Sequence, residues 1–350
     1  SLCASAGVLT GSILPLVARI AVRRGWVDRP DHQTGGRKSH TRPTPPVGGI
    51  VLLPLFLVLL PHVGFTLADH APLYVGVALI TATGWLDDRF DLSPTTKFFM
   101  QVLVSVLMVA TGEALLPHLG HLFGGDHVAM MGPLAYPFTI VCFIFFMNAL
   151  NMIDGVDGLA GGISLVMLFW LLVAAILGGQ TAYAAAAFLL MALLAGFLVH
   201  NMRYPGHKRA TVFLGDAGSM GLAVVIAWLG VNIAANPTHG MPPNSMAWII
   251  ALPIIDTFAL FIARLRRGVS AFTPGKDHIH HRLLQRSVHT EQVAVILMAI
   301  VLIGGMIGVL GPFFMHVPEW ALSTGWVIAL LGWTLYAVRR SGMRDVSHAS

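Results

Sequence analysis

The chain has 350 residues and is 56% hydrophobic but only 11% charged, with a formal net charge of +5 and a mean hydropathy of +0.76. Soluble domains carry about 25% charged residues. This composition excludes a soluble globular domain and predicts an integral membrane protein.

Apolar runs recur along the whole chain, and each is long enough to cross a bilayer as a helix. The alternating ten-residue pattern that is typical of β-barrels is absent. We therefore predict an all-α, polytopic membrane helical bundle of about 11 transmembrane helices, with residues 1–350 forming a single catalytic domain. The predicted spans are residues 2–22, 47–61, 72–86, 94–112, 134–150, 159–178, 181–200, 218–235, 246–264, 291–310 and 319–338.

The basic residues predict the orientation of the bundle. All 21 Lys and Arg residues fall near the ends of odd-numbered spans, in the loops that follow them, or in the C-terminal tail. The positive-inside rule then places the N-terminus outside and the C-terminus in the cytoplasm. The positive charge is thus explained by topology and by attraction to anionic lipids, and not by nucleic-acid binding. The cytoplasmic loops that would carry the active site are about 23–46, 87–97, 151–158, 201–217 and 265–290.

The loop after the third span, "GWLDDRFDLSPTTK", contains a group of acids. Asp87 and Asp88 are four and three residues from Asp91, so on a helix end they would share a face. Ser93 and Pro94 are typical of the N-cap and first residue of a helix, which would place Lys97 in its first turn. A solvated loop with ordinary charges is the alternative, but acids at a membrane boundary are usually functional.

The stretch "NALNMIDGVDG" places four polar residues at the end of an apolar helix. Asn148, Asn151, Asp154 and Asp157 are spaced three apart, and Gly155 and Gly158 are expected to end the helix. An unpaired carboxylate is costly in apolar surroundings. A polar C-cap with an Asx turn would explain one such residue, but not four within ten positions.

Two further blocks lie on the same predicted face. In "RATVFLGDAGSMG", Asp216 lies between small residues just before the eighth span, where an N-cap is the alternative role. In "DHIHHRLLQR", His278, His280 and His281 fall within four residues, next to Arg282. This spacing is not typical of zinc sites, so phosphate recognition or hydrogen bonding by neutral histidine is favoured. Carboxylate and amide oxygens favour Mg²⁺ or Mn²⁺, which bridge substrate phosphates.

Six blocks of the sequence, taken in chain order, resemble those of the polyprenyl-phosphate N-acetylhexosamine-1-phosphate transferase family. The resemblance runs from about residue 37 to residue 285, and the histidine block is similar to the branch that primes O-antigen and teichoic-acid synthesis. The blocks are "RKSHTRPTPPVGGI", "DDRFDLSPTTK", "NALNMIDGVDGLAGG", "FLGDAGSMG", "PIIDT" and "HIHHRLL".

The resemblance implies an enzyme of the bacterial inner membrane with its active site facing the cytoplasm. A UDP-N-acetylhexosamine, expected to be UDP-GlcNAc, would give its sugar-1-phosphate to undecaprenyl phosphate, and UMP would leave. Membrane lipids would surround the bundle, and a homodimer is one open assembly state.

The resemblance also implies roles for single residues. Asn151 and Asp216 would ligate Mg²⁺ or Mn²⁺, while Asp87 and Asp88 would be the catalytic pair. The remaining positions would contact substrate: Lys97 would offset phosphate charge, Phe213 would stack on uracil, Asn148, Asp154 and Asp157 would line the nucleotide-sugar site, and His278, His280, His281 and Arg282 would contact diphosphate or sugar.

Proton transfer is not required for this chemistry. A phosphate monoester has a second pKa of about 6, so the lipid phosphate is mostly dianionic at pH 7. We therefore expect Asp87 to orient the acceptor, with general-base catalysis and two-step transfer through an aspartyl phosphate as alternatives.

Two other functions remain open from the sequence. One is a transferase of the MraY-like branch, which uses UDP-MurNAc-pentapeptide, although "HIHH" argues against it. The other is a cation-coupled transporter, because acids inside membrane proteins also mark ion pathways. Transporters usually place their sites near the bilayer midplane between repeats, whereas these acids cluster at one face.

Overall fold

A computed structural model describes residues 2–29, 42–125, 127–235, 241–270, 275 and 277–347. Within these ranges the regular structure is helical, and strand-like pairing is limited to isolated bridges such as Asp28 with Thr44. The predicted all-α fold class is confirmed for this part of the chain. The first part of the "RKSHTRPTPPVGGI" block, residues 37–41, lies outside the described residues.

Each predicted span corresponds to one helix or to one interrupted helix. The helices are α1 (Leu2–Arg23), α2 (Gly48–Leu59), α3 (Ala71–Phe90), α4 (Pro94–Ala110), α5 (Ala135–Ile153), α6 (Leu159–Leu177), α7 (Thr181–Asn201), α8 (Gly215–Ala235), α9 (Pro243–Ile249), α10 (Ala251–Arg266), α11 (Ile279–Gln285), α12 (Thr290–Gly305), α13 (Gly311–Met315) and α14 (Glu319–Ser347). Short 3₁₀ turns at Leu60–Val63 and Gly132–Leu134 extend α2 and precede α5, and a π-helical turn at Met306–Leu310 joins α12 to α13.

Length and apolar composition identify a polytopic membrane protein. Among the described residues, seven helices are long and apolar enough to cross a bilayer, or eight when α9 and α10 count as one bent span. Helices α2 and α4 are apolar but shorter, and α3 ends in the charged sequence "DDRF". The count of eleven spans and the sides of the two termini stay predictions.

Prolines lie near the bend in one predicted span and just beyond the π-helical turn that ends another. Residues 246–264 were expected to form one helix, but α9 and α10 are bent by 75° at their junction. Pro253 lies at the third position of α10 and has no backbone N–H to continue a helical ladder from α9. Pro312 is the second residue of α13, directly after the π-helical turn, and it also lacks a backbone N–H.

The connection between α3 and α4 is a tight turn. Ser93 caps α4, because its hydroxyl accepts a hydrogen bond from the Thr96 N–H at 3.1 Å, and Pro94 is the first helical residue as predicted. Asp91 lies beyond α3 in a left-handed conformation with φ of 52°. The expectation that Asp91 shares a helical face with Asp87 and Asp88 is therefore wrong, because the chain leaves the helix there to enter α4.

Helix α8 is the buried centre of the bundle and contacts α2, α3, α5 and α6. The contact with α3 is close at Gly84, where an added Cβ would collide with the backbone of Asp216 and Ala217. Asp87 and Asp88 follow Gly84 by three and four residues, so they lie on the same face of α3. The glycine contact thus brings both acids to the first turn of α8.

Candidate active site

The two predicted metal ligands lie in direct contact. Asn151 is in the last turn of α5 and Asp216 is in the first turn of α8. The Asn151 amide donates to the Asp216 carboxylate at 2.9 Å and to the Ser219 hydroxyl at 3.0 Å. This arrangement leaves the Asn151 carbonyl oxygen and the second Asp216 oxygen as the atoms suited to a cation.

Lys97 connects this pair to the acids of α3. Its ammonium group lies 2.7 Å from Asp87 Oδ2 and 3.7 Å from Asp216 Oδ2. The other oxygen of Asp87 accepts a hydrogen bond from the Leu92 N–H at 2.8 Å. Asp87 and Asp216 thus face the same ammonium group. Two adjacent carboxylates need a shared proton or a nearby positive charge, so the cluster attracts cations.

Asp88 has a different environment from Asp87. It is exposed, and its carboxylate accepts from the Asp216 N–H at 3.1 Å and from the Ala217 N–H at 3.5 Å. These N–H groups belong to the first turn of α8, which has no intrahelical partner for them. A carboxylate there also interacts favourably with the helix dipole. Asp88 therefore fixes the start of the helix that carries Asp216.

The two acids that follow Asn151, Asp154 and Asp157, have different environments. Burial, together with the charges of Asp216 and Asp157, raises the pKa of Asp154 to about 8. Asp157 instead faces the loop after α7, where it pairs with Arg203 at 2.7 Å and accepts from the Ala210 N–H at 3.1 Å. Asp154 thus feels the charges of two other acids, and Asp157 joins two loops.

Asn148 lies one helical turn before Asn151 but is engaged inside the bundle. Its amide donates to Gln101 Oε1 at 2.7 Å and to the Ile144 carbonyl at 2.8 Å. Gln101 is buried and lies 3.4 Å from the Met220 sulfur. This polar contact joins α4, α5 and α8 beneath the acidic cluster.

The histidine block begins at a buried carboxylate. Asp256 of α10 accepts from His278 Nδ1 at 2.9 Å, from the Ile279 N–H at 3.2 Å and from the Trp333 indole at 3.2 Å. These bonds fix the start of α11 against α10 and α14. Asp256 therefore sets the orientation of the His278 ring.

His280 packs against the loop that contains Asp154. An added Cβ at Gly155 would lie 2.7 Å from His280 Nε2. The His280 side chain is fully buried, and neither ring nitrogen has a hydrogen-bond partner among the described residues. Burial, and then the neighbouring His281 and His278, lowers the pKa of His280 well below its usual range. Neutral hydrogen bonding therefore fits His280 better than cationic recognition.

Three further predicted residues, His281, Arg282 and Phe213, have contacts of their own. The His281 ring centroid is 4.1 Å from that of His280. The Arg282 guanidinium lies 5.7 Å from the Trp333 ring and 5.5 Å from the Tyr336 ring of α14. Phe213 is held through its backbone, where its N–H donates to the Pro45 carbonyl at 3.0 Å and its carbonyl accepts from Gly48 at 2.9 Å.

The donor atoms fit a hard divalent cation. Within the described ranges, no three His, Cys, Asp or Glu side chains form a metal-binding group. Asn151 and Asp216 supply one amide and one carboxylate, with Asp87 adjacent. Mg²⁺ commonly takes one or two protein ligands and keeps several waters, so a small oxygen set is sufficient. The cluster of Asp87, Asp88, Lys97, Asn151 and Asp216 is hereafter the acidic centre.

Sequence reasoning missed three residues that organise this site. Asp256 lies in the "PIIDT" block of the resemblance and is a buried acid within an apolar run, which was a usable signal. Gln101 is likewise a lone amide within the apolar α4. Arg203 was counted only as a loop cation, and its pairing with Asp157 depends on a contact across 46 residues that spacing does not predict.

Comparisons with known proteins identify the relatives of this chain. Residues 70–234 match the model of Glycosyl transferase family 4. The chain is 32% identical to the undecaprenyl-phosphate alpha-N-acetylglucosaminyl 1-phosphate transferase of Yersinia pestis, over 94% of this chain and 88% of that protein. Identity to the proteins of the same name is 33% in Escherichia coli K12, over 94% and 87%, and 33% in Haemophilus influenzae, over 87% and 84%. The chain therefore belongs to the polyprenyl-phosphate N-acetylhexosamine-1-phosphate transferase family of membrane phosphoglycosyl transferases.

Proposed function

We propose that this protein transfers GlcNAc-1-phosphate from UDP-GlcNAc to undecaprenyl phosphate. UMP would leave, and the lipid-linked diphosphate sugar would prime a cell-envelope polysaccharide. The names of the relatives support this substrate pair. The observation that carries the proposal is the contact of Asn151 with Asp216 beside Lys97, because it combines hard oxygen ligands and a cationic side chain at one centre.

The proposed topology places this centre at the cytoplasmic boundary of the bacterial inner membrane. It has eleven spans, an outer N-terminus and a cytoplasmic C-terminus. The partition of all 21 Lys and Arg residues supports it. A nucleotide-sugar would reach the centre from the cytosol, while the phosphate of the acceptor would lie at the headgroup plane.

Asn151 and Asp216 would hold Mg²⁺ or Mn²⁺ through their side-chain oxygens. When bound, the cation would neutralise charge on the diphosphate of the donor. The residues around it fix this pair, since Ser219 accepts from Asn151 and Asp88 holds the backbone of Asp216. Rigid placement of ligands and charges is what phosphoryl transfer requires of a protein.

Lys97, Asp87 and Asp88 would position the acceptor phosphate and its charge. Asp87 keeps the Lys97 ammonium at the centre through their contact of 2.7 Å, and Lys97 would offset the charge of the dianionic phosphate. Asp88 would act mainly through the first turn of α8, to which it is already bonded. The acceptor is mostly ionised at pH 7, so neither acid needs to remove a proton.

The histidine block would recognise the nucleotide-sugar. The two ring nitrogens of His280 are buried and lack partners among the described residues, and a buried polar group is stabilised when a ligand supplies a hydrogen bond. His278, His281 and Arg282 would contact diphosphate or sugar beside it, with Asn148, Asp154 and Asp157 along the nucleotide-sugar site. Phe213 would stack on uracil.

Product analysis with a panel of donors tests this proposal. Purified protein is incubated with undecaprenyl phosphate and either UDP-GlcNAc, UDP-GalNAc, UDP-glucose or UDP-MurNAc-pentapeptide, and the lipids are identified by mass spectrometry. We expect undecaprenyl diphosphate-GlcNAc and one UMP per product. Product from UDP-MurNAc-pentapeptide instead would assign the protein to the MraY-like branch, and ion uptake into proteoliposomes without UMP release would support a transporter.

A further inference from the structure

A basic pocket lies outside the acidic centre, at the end of α1. Its volume is about 440 Å³, and four arginines from three separate segments line it, namely Arg19 and Arg23 of α1, Arg42, and Arg209. Among the described residues, no Asp or Glu lines the pocket. This pocket, with its four arginines and its other lining residues, is hereafter called the arginine pocket.

The four arginines place like charges around one small space. All four side chains are exposed, and the ion pairs found among the described residues involve other basic residues. Unscreened charges of the same sign repel one another, so an anion in the pocket would relieve this repulsion. Guanidinium groups also match phosphate oxygens with two parallel hydrogen bonds. The ligand chemistry is therefore that of a phosphate group.

The remaining walls of the arginine pocket point to a lipid phosphate. Val22 is part of the lining and is 55% exposed, and most of the lining surface is apolar. One and two turns before Arg23 on α1, Ile20 and Leu16 are 51% and 57% exposed. Apolar side chains exposed on a helix that crosses a membrane face the bilayer. A ligand in this pocket would therefore meet basic groups at its head and an apolar helix surface beneath.

The walls of the arginine pocket are bonded to the loops of the acidic centre. The Pro45 carbonyl accepts from the Phe213 N–H at 3.0 Å, three residues before Asp216. The Ala210 N–H donates to Asp157 at 3.1 Å. A ligand that holds the Arg42 and Arg209 segments together would stabilise both loops.

We propose that the arginine pocket binds the phosphate of an anionic membrane phospholipid, whose acyl chain lies along α1. The proposal concerns a structural lipid and not a substrate of the transfer reaction. The placement of the arginine pocket at the cytoplasmic boundary rests on the proposed topology. The residues that line the pocket do not depend on that topology.

Lipid binding to the purified full-length protein tests the proposal without an activity assay. Delipidated protein is titrated with phosphatidylglycerol, phosphatidylcholine, undecaprenyl phosphate or inorganic phosphate, and bound molecules are counted by native mass spectrometry. Wild type is compared with the double variant R23A/R209A. The control is R24A/K208A, which removes the same charge from two exposed neighbours that do not line the pocket.

We expect the pocket variant to bind phosphatidylglycerol roughly 10- to 30-fold more weakly than wild type, and the control to bind it within about 3-fold of wild type. Phosphatidylglycerol should also raise the thermal unfolding midpoint of wild type more than that of R23A/R209A. Equal losses in the two double variants would overturn the proposal. A loss confined to undecaprenyl phosphate, or to inorganic phosphate, would also overturn it, because the pocket would then serve a different ligand.

Discussion

The carboxylate of Asp88 accepts a hydrogen bond from the backbone N–H of Asp216 at 3.1 Å. The side chain of one acid thus fixes the backbone position of another, on a helix 128 residues away. Asp87, its neighbour, is instead bonded to Lys97. The adjacent acids of "DDRFD" therefore have separate contacts: one holds the first turn of α8 and the other holds a positive side chain.

Substitution of either acid should reduce activity by a factor that does not depend on pH. We expect Asp87→Asn and Asp88→Asn each to lose roughly 10²-fold in kcat, because small displacements of reacting groups have effects of that size. The deficit should stay flat between about pH 7 and 9, above the second pKa of the acceptor phosphate, and should be larger for Asp88→Asn.

The pH profile also separates orientation from proton abstraction. The rates of the wild type and both variants are measured across this range with the same lipid. A deficit of Asp87→Asn that shrinks about tenfold per pH unit would show that Asp87 is a general base. It would contradict the assignment to orientation.

Gly84 should be intolerant of any side chain. Its Cβ position collides with the backbone at the start of α8, so Gly84→Ala should force α3 away from Asp216. We expect a loss of about 1–3 kcal/mol in stability together with a large loss of UMP release. The matched control is Gly332→Ala in α14, where a Cβ would meet nothing within 4 Å. Unchanged activity in Gly84→Ala would show that this contact does not position the acids.

Asp256→Asn should loosen the histidine block. The variant keeps the shape of the side chain but weakens the bonds to His278, Ile279 and Trp333. We expect faster hydrogen exchange in α11 and a higher KM for UDP-GlcNAc. Asp69→Asn serves as the control, because Asp69 is exposed and bonded locally to Thr66. Faster exchange across the whole protein would indicate general destabilisation and contradict a local positioning role.

The sequence predicted the helix ends around this site because their signals are local. The Ser93–Pro94 start of α4 follows from capping chemistry, and the helix end at Ile153 follows from the glycines after it. Asp91 was misplaced because helical periodicity was extended past the turn in which the chain changes direction. The contacts of Asp88 with α8 and of Asp157 with Arg203 depend on packing between distant segments, so residue spacing carries no signal for them.

Cysteine labelling tests the proposed topology. In a background with Cys3 and Cys142 replaced by alanine, Phe123→Cys should react with an impermeant thiol reagent in intact cells, because Phe123 is 92% exposed and lies in a loop assigned to the outside. Lys208→Cys, in a cytoplasmic loop, should react only after the membrane is opened. Labelling of Lys208→Cys in intact cells would rule out the eleven-span orientation.

The requirement of UMP release for a divalent cation and for Asp216 tests the central claim most directly. Purified wild type, Asp216→Ala and Asn151→Ala are assayed with UDP-GlcNAc and undecaprenyl phosphate, and folding is checked by size-exclusion elution. We expect excess EDTA to abolish UMP release by wild type and Mg²⁺ or Mn²⁺ to restore it, while Asp216→Ala stays inactive at any concentration of either ion. Full activity of wild type in excess EDTA, or of folded Asp216→Ala, would contradict the account.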